Sequence, residues 1–135
     1  MSSNLIKISK IKKIFNHKNR IINLFDNTSL EINRGQLVAL VGPSGSGKST
    51  FLNLLAFLDK PTSGSIFFSG QDSKNFDEQK KDEIRSKKIS IIFQDNNLLS
   101  DFTAIENVLM PLVIRGENYK ASYKKAKQIL GEVRL

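Results

Sequence analysis

The sequence contains no cysteine, so its fold depends on neither disulfides nor a thiolate metal site, which fits a reducing compartment. No apolar run reaches the ~18 residues that a membrane-spanning helix requires. The first residues also lack the apolar h-region of a signal peptide. We therefore expect neither a membrane span nor a secretory leader in this sequence.

Acidic residues are scarce, since 13 stand against 21 lysines and arginines, and the net charge is +8. The basic residues of the N-terminus, with no acid among them, are Lys7, Lys10, Lys12, Lys13, Lys18 and Arg20. This cluster permits two interpretations: attraction to nucleic acid or anionic lipid, or a solvated edge strand whose lysines discourage unwanted pairing. We favour the edge strand and expect no nucleic-acid partner, because the aromatic interleaving of single-strand binders is missing.

What the sequence does contain is one strong phosphate-binding pattern, Gly42-Pro43-Ser44-Gly45-Ser46-Gly47-Lys48-Ser49-Thr50. It lies between the apolar runs 37–41 and 51–58, which predicts a strand, a glycine-rich turn and a helix. The backbone N–H groups of such a turn form an anion nest, and the helix adds the positive end of its dipole. The alternative is a flexible Gly/Ser linker with an incidental lysine, but such linkers lack the flanking strand and helix.

The side chains of this loop suit a nucleoside triphosphate with Mg²⁺. Gly45 and Gly47 allow backbone conformations that a Cβ would resist, and they allow the backbone to approach the phosphates closely. Lys48 would reach the β- and γ-phosphates as a point charge. The hydroxyl of Ser49 would ligate Mg²⁺, and Thr50 would lie near the α-phosphate.

The order of elements predicts an α/β fold. Its first strands, over 5–15, 21–25 and 28–32, have short connections that favour antiparallel pairing, whereas the runs 36–41 and 89–93 are typical of buried parallel strands. A short strand is expected over 65–68, and a helix capped by Asn75 should run to about Lys87. Thr103 begins a helix that Pro111 should kink or split, and a basic helix follows over 119–133.

Three further segments resemble the ATP-binding-cassette (ABC) transporter ATPases. The segment Leu58-Asp59-Lys60-Pro61-Thr62-Ser63-Gly64-Ser65-Ile66 is similar to the family's D-x-P-T-S-G motif, and Ile91-Ile92-Phe93-Gln94 resembles its Q-loop. The stretch 97–112 is similar to the subgroup that contains LolD, MacB and FtsE, and within it Leu99-Ser100-Asp101-Phe102-Thr103-Ala104 points most towards the LolD type. The resemblance runs from about Leu5 to Leu135.

This resemblance implies a P-loop NTPase core of the ABC type. An antiparallel β-subdomain would occupy 1–35, the first half of the core 36–93, and the Q-loop with the start of a helical subdomain 94–135. Phe15 would stack on adenine, or else be a core aromatic at a strand end. Gln94 would contact Mg²⁺ or the attacking water and sense the γ-phosphate, or else be a surface glutamine. Catalysis would thus rest on Lys48 and Gln94, and metal binding on Ser49 and Gln94.

The resemblance also implies ATP and Mg²⁺ as cofactors, a second ATPase subunit in a homodimer, and integral membrane partners of the LolC/LolE type. Residues 95–112 would carry the nucleotide state to those partners. The protein would be peripheral, on the cytoplasmic face of the inner membrane, where it would energise lipoprotein release. The alternatives are MacB-like efflux, an FtsE-like ATPase, a nucleotide-binding remnant without catalysis, and a soluble nucleic-acid ATPase.

Several of the family's features do not occur in the sequence, which stops at Leu135: the L-S-G-G-Q signature, the Walker B strand with its carboxylates, and the switch histidine. His17 cannot be that histidine, because it precedes the P-loop. Hydrolysis needs a carboxylate near the attacking water. We therefore expect the chain alone to hydrolyse ATP very poorly, and we expect an open sheet edge and uncovered apolar surface to promote aggregation.

Overall fold

The computed structural model describes residues 4–17, 20–95 and 97–135. The predicted turn between the first two strands includes Lys18 and Asn19, which lie outside the described residues. The chain divides into two compact units, Met1–Lys81 and Asp82–Leu135. The division into 1–35, 36–93 and 94–135 stays a prediction. In the described part of the chain, every helix is too short or too polar to cross a membrane.

The first unit is built on a four-stranded sheet with the order β2-β1-β3-β4. Its strands are β1 Asn4–His17, β2 Arg20–Asn33, β3 Ser63–Phe68 and β4 Gln71–Asp72. Each neighbouring pair is antiparallel, as expected for the early strands. β1 lies inside the sheet, so the prediction of a lysine-rich edge strand is wrong. The reason is β3, whose Ile66 lies opposite Ile8 so that the two side chains bury each other in the core.

β2 is continuous where the sequence predicts two strands separated by Asp26 and Asn27. Asn27 adopts a left-handed conformation, with φ of 55°. The register with β1 shifts at this point, between the pairs Ile11–Thr28 and Lys13–Phe25. An irregularity of this kind accommodates the polar pair without ending the ladder.

The two predicted parallel strands are not formed. Residues 36–41 and 89–93 run in extended or irregular conformations, and neither segment pairs with a strand among the described residues. Leu37 and Ile92 are each 99% exposed, and Val41 is 85% exposed. A continuous apolar run forms a buried strand only where neighbouring strands satisfy its backbone on both sides.

Helix α1 spans Lys48–Leu55, where the sequence predicts it. It ends with Phe57 in the left-handed region at φ of 58°, and the N–H of Leu58 donates to the Asn53 carbonyl at 2.9 Å. Glycine usually occupies this position. Phe57 holds it because its ring is buried edge-to-face between Phe68 and Phe76, with centroid distances of 6.0 and 5.9 Å.

Helix α2 spans Glu78–Lys88, and its cap is not the predicted Asn75. The Asp77 carboxylate accepts the hydrogen bond from the Lys80 N–H at 2.7 Å. Asn75 instead ends a short 3₁₀ turn, Ser73–Asn75, which Asp72 caps.

The second unit contains α3, Ala104–Ile114, which packs against α4, Tyr119–Glu132. The predicted capping box is present at the start of α3, between Thr103 and Glu106. Pro111 does not split the helix. Leu109 and Leu112, on either side of it, are buried, so packing holds the helix together where a backbone hydrogen bond is lost.

Candidate phosphate-binding loop

The loop Gly42–Thr50 leads directly into the N-terminus of α1. Gly47 is the N-cap, with φ of 90° and ψ of 11°, a conformation that only glycine adopts readily. The described residues supply no side-chain cap, and the first turn contains no acid. The first N–H groups of α1 and the positive end of its dipole are therefore open to an anion.

Lys48 folds back across this loop. Its ammonium donates to the carbonyl of Gly42 at 2.9 Å and to that of Pro43 at 2.7 Å. A further bond, from the N–H of Ser46 to the carbonyl of Pro43 at 3.3 Å, closes the turn. Lys48, the only side-chain cation of the loop, is thus held against the loop backbone. An anion would bind at the N-terminus of α1, which begins at the same residue.

The far end of the loop is seated on β2. A Cβ on Gly47 would lie 3.0 Å from Cζ of Phe25 and 3.4 Å from Cδ1 of Leu24. Phe25 in turn meets Phe51 of α1 edge-to-face, with ring centroids 5.5 Å apart. Glycine at position 47 is therefore required twice, by its positive φ and by the close packing of the loop on the sheet.

Phe15 belongs to the same sheet as Leu24 and Phe25, the residues that Gly47 contacts. Lys13, two residues before Phe15, lies opposite Phe25 in the β1–β2 ladder. β1 is therefore the neighbour of the β2 residue that Gly47 contacts. Phe15 is 39% exposed, which gives its ring access to solvent at the strand end. The adenine-stacking role of Phe15 stays a prediction.

The remaining predicted site residues differ in their settings. Ser49 is exposed in the first turn of α1, and Thr50 beside it is half-buried. Gln94 is exposed and belongs to the second unit, so its part in the site stays a prediction. Within residues 4–17, 20–95 and 97–135, no three His, Asp or Glu side chains converge on a metal site. The metal-binding role of Ser49 stays a prediction.

A cleft of about 350 Å³ lies elsewhere in the first unit, with an apolar floor that includes Leu54, Phe57 and Ile66. Charged groups at its rim pair with one another, as Lys81 does with Glu78 at 2.7 Å. Residues 42–50 do not line it. The loop is the better candidate for a phosphate because it combines an uncapped helix N-terminus with the Lys48 ammonium.

Sequence reasoning missed the residues that support the site, namely Leu24 and Phe25 under the loop and Lys13 beside Phe15. Leu24 and Phe25 contact Gly47, which is far from them in the chain, so no local pattern could reveal these two contacts. The position of Lys13, two residues before Phe15 on a strand, does place both side chains on one face.

The fold and this loop define a nucleotide-binding domain of the P-loop class, and comparison with known proteins makes the family explicit. The family model described as ABC transporter matches residues 25–135. The chain therefore belongs to the ABC transporter family.

Among its curated relatives are proteins named lipoprotein-releasing system ATP-binding protein LolD. That of Rickettsia bellii is 40% identical over 135 residues, which is 100% of this chain and 59% of the relative. That of Hahella chejuensis is 41% identical over 135 residues and is covered to 58%. A macrolide export ATP-binding/permease protein MacB from a Shewanella strain is 39% identical over 135 residues, 21% of its own length. The chain thus spans less than two thirds of the LolD relatives that it matches.

Solved structures confirm the fold class. A dimeric, post-hydrolysis state of the ATP-binding cassette MJ0796 bound to ADP and Pi matches with a TM-score of 0.85 at 34% identity, over 96% of this chain and 57% of that one. The sheet and helices described above are therefore those of an ABC ATPase core, although the apolar runs 36–41 and 89–93 are not paired as strands.

Proposed function

We propose that this chain binds Mg-ATP at Gly42–Thr50 as the nucleotide-binding part of an ABC transporter ATPase. The observation that supports this most directly is the uncapped, acid-free N-terminus of α1, with Lys48 held across the glycine-rich loop beside it. Membership of the family, and a matched structure described as bound to ADP and Pi, agree with a nucleotide as the ligand.

The residues of the loop would act through hydrogen bonds and charge. Lys48 would exchange the carbonyls of Gly42 and Pro43 for phosphate oxygens, which are stronger acceptors because they are charged. The open N–H groups of α1 would bind the remaining phosphate oxygens. Ser49 would ligate Mg²⁺ through its hydroxyl oxygen, and the metal ion would neutralise phosphate charge. Phe15 would stack on the adenine, and Gln94 would sense the γ-phosphate.

The binding is tested by titrating the chain with ATP in the presence of Mg²⁺, using calorimetry. Lys48→Ala should weaken binding by at least about 100-fold, since two hydrogen bonds between charged groups are lost, each contributing roughly 1.5–3 kcal/mol. Lys60→Ala is the matched control, because Lys60 is an exposed lysine of the same unit whose ammonium only approaches Glu78 at 3.6 Å. Equal affinity of the Lys48→Ala and Lys60→Ala chains would rule out the loop as the phosphate site.

Within the family, we favour a role in lipoprotein release, because relatives named LolD match the whole chain at 40 and 41% identity. The partners would be LolC/LolE-type membrane subunits and a second ATPase subunit, on the cytoplasmic face of the inner membrane. MacB-type efflux is the second candidate, because a MacB matches the whole chain at 39% identity. Affinity capture of the chain with each type of membrane subunit distinguishes the two candidates.

Turnover is a separate question from binding. The loop offers Lys48 and Ser49, but no carboxylate that could polarise the attacking water lies among its residues. We expect tight Mg-ATP binding with very slow phosphate release, which is the behaviour of a nucleotide-binding segment without catalysis. Mg²⁺-dependent phosphate release by the purified chain at the rate of full-length relatives would contradict this expectation.

A further inference from the structure

Lys13 is a buried lysine two residues before the predicted adenine-stacking ring. It is 8% exposed, which is unusual for an ammonium group. Its Nζ donates to Oδ1 of Asp59 at 2.7 Å and to the carbonyl of Lys60 at 2.8 Å. The same atom lies 4.8 Å from the centroid of the Phe15 ring. Burial of the charge is thus compensated by two oxygens on one side and an aromatic ring on the other.

Asp59 fixes this lysine from the turn that follows α1. The turn is itself bound to β1 by two further hydrogen bonds, from the Thr62 N–H to the Lys12 carbonyl at 2.8 Å and from the Ile14 N–H to the Thr62 hydroxyl at 3.0 Å. The Asp59 carboxylate also accepts from the Lys60 N–H at 2.7 Å, which orients it. The ammonium therefore has a defined position relative to the ring of Phe15.

We propose that Lys13, held by Asp59, is a positioning residue for the nucleotide base. The cation occupies one face of the Phe15 ring and so favours that orientation of the ring, leaving its other face for the base. A cation on one face of an aromatic ring also draws its electron density, which favours stacking of an electron-rich base on the opposite face. This inference rests on the proposed function, because it needs a nucleotide whose phosphates bind at Gly42–Thr50.

The test compares Mg-ATP with inorganic tripolyphosphate plus Mg²⁺, because the second ligand has the phosphates but no base. Lys13→Met keeps the apolar stem and removes the charge. It should weaken ATP binding about fivefold, because the Phe15 ring is no longer held for the base and no cation polarises its opposite face, and leave tripolyphosphate binding within about twofold. Lys13→Arg should restore ATP affinity, because a guanidinium also stacks on aromatic faces. Lys12→Met is the matched control, since that lysine pairs with Asp26 at 3.4 Å instead, and it should change neither affinity.

A double-mutant cycle adds a measurement that a purely structural role would not affect. In a Phe15→Ala background, Lys13→Met should cause no further loss of ATP affinity. Asp59→Asn provides a second way to release the ammonium, and it should give the same selective loss if Lys13→Met does not fold. Thermal unfolding of each variant shows which of them fold.

Two results with the Lys13→Met variant would overturn the inference. Equal weakening of ATP and tripolyphosphate by Lys13→Met, or unchanged binding of both, would show that Lys13 has no effect on the base. Failure of the unmodified chain to bind either ligand would overturn the proposed function and this inference with it. If the unmodified chain binds both ligands in a Lys48-dependent way, and Lys13→Met weakens both equally or changes neither, this inference alone is overturned.

Discussion

Replacing Gly64 by alanine should destabilise the first unit by about 3–4 kcal/mol, because a side chain there meets backbone rather than space. Gly64 lies in β3 opposite an irregularity in β1, where Lys10 adopts a φ of 48°. A Cβ at position 64 would lie 2.3 Å from the Lys10 carbonyl oxygen and 2.6 Å from Cα of Ile11. Neither atom belongs to a flexible side chain, so the strands themselves must separate.

The magnitude follows from two contributions. Gly64 has a φ of 85°, and a residue with a Cβ in the left-handed region costs roughly 1–2 kcal/mol. Restoring ordinary contact requires the strands to move apart by about 1 Å, given that non-bonded carbon contacts are optimal near 3.5 Å. That shift would break the hydrogen bond of 2.8 Å between the Thr62 N–H and the Lys12 carbonyl and strain its neighbour at the Thr62 hydroxyl. Two such bonds contribute about 1 kcal/mol each.

The assay is urea unfolding followed by circular dichroism, with Gly70→Ala as the matched control. Gly70 has nearly the same φ, 84°, but a Cβ there has no atom of the described structure within 4 Å. The control should therefore show only the conformational cost, about 1–2 kcal/mol. If both variants lose the same stability, the steric argument at β1 and β3 is wrong.

Two further predictions concern the second unit. The Thr103 hydroxyl and N–H donate to the Glu106 carboxylate and hold its pKa below the ordinary value of 4.5, so its stabilisation is present above that pH and lost as the pH falls through the lowered pKa. Glu106→Gln should therefore lower the thermal midpoint near neutral pH, and its difference from the unmodified chain should vanish in acid; a constant difference would contradict this. Ser122 is fully buried in α4, and its hydroxyl has no hydrogen-bond partner among the described residues. Ser122→Ala should raise the unfolding free energy by about 1 kcal/mol, and a loss of stability would show that the hydroxyl is satisfied.

Sequence reasoning succeeded where the determinants are local. The glycine-rich turn before α1, the start of α1 at Lys48 and the capping box at Thr103 follow from residues within a few positions of one another. It placed the cap of α2 at Asn75, two residues early, because Asn75 and Asp77 are both good capping residues. The choice is made by Phe76, whose ring packs 5.9 Å from that of Phe57 and so ends the preceding 3₁₀ turn.

The predictions that were wrong concern strands, because the residues of a strand do not specify which strand it pairs with. The runs 36–41 and 89–93 are apolar enough for buried strands, yet an apolar run specifies only a preference for burial and not a partner. The same limit applies to β1, whose lysines resemble those of an edge strand although β3 covers its second side. Lys7 and Lys12 instead pair with Glu31 at 2.7 Å and Asp26 at 3.4 Å on β2, and these contacts became visible only once the register was known.

The segments before and after the phosphate loop differ in how well they support it. The segment that precedes the loop is exposed at Leu37 and Val41 and is not paired, so it contributes little to holding Gly42 in place. The segment that follows is seated, because Gly47 rests against Phe25 of β2 and Phe25 meets Phe51 of α1. Within the first unit, the antiparallel sheet is therefore the support of the candidate nucleotide site, at its phosphate end through β2 and at its predicted base end through β1.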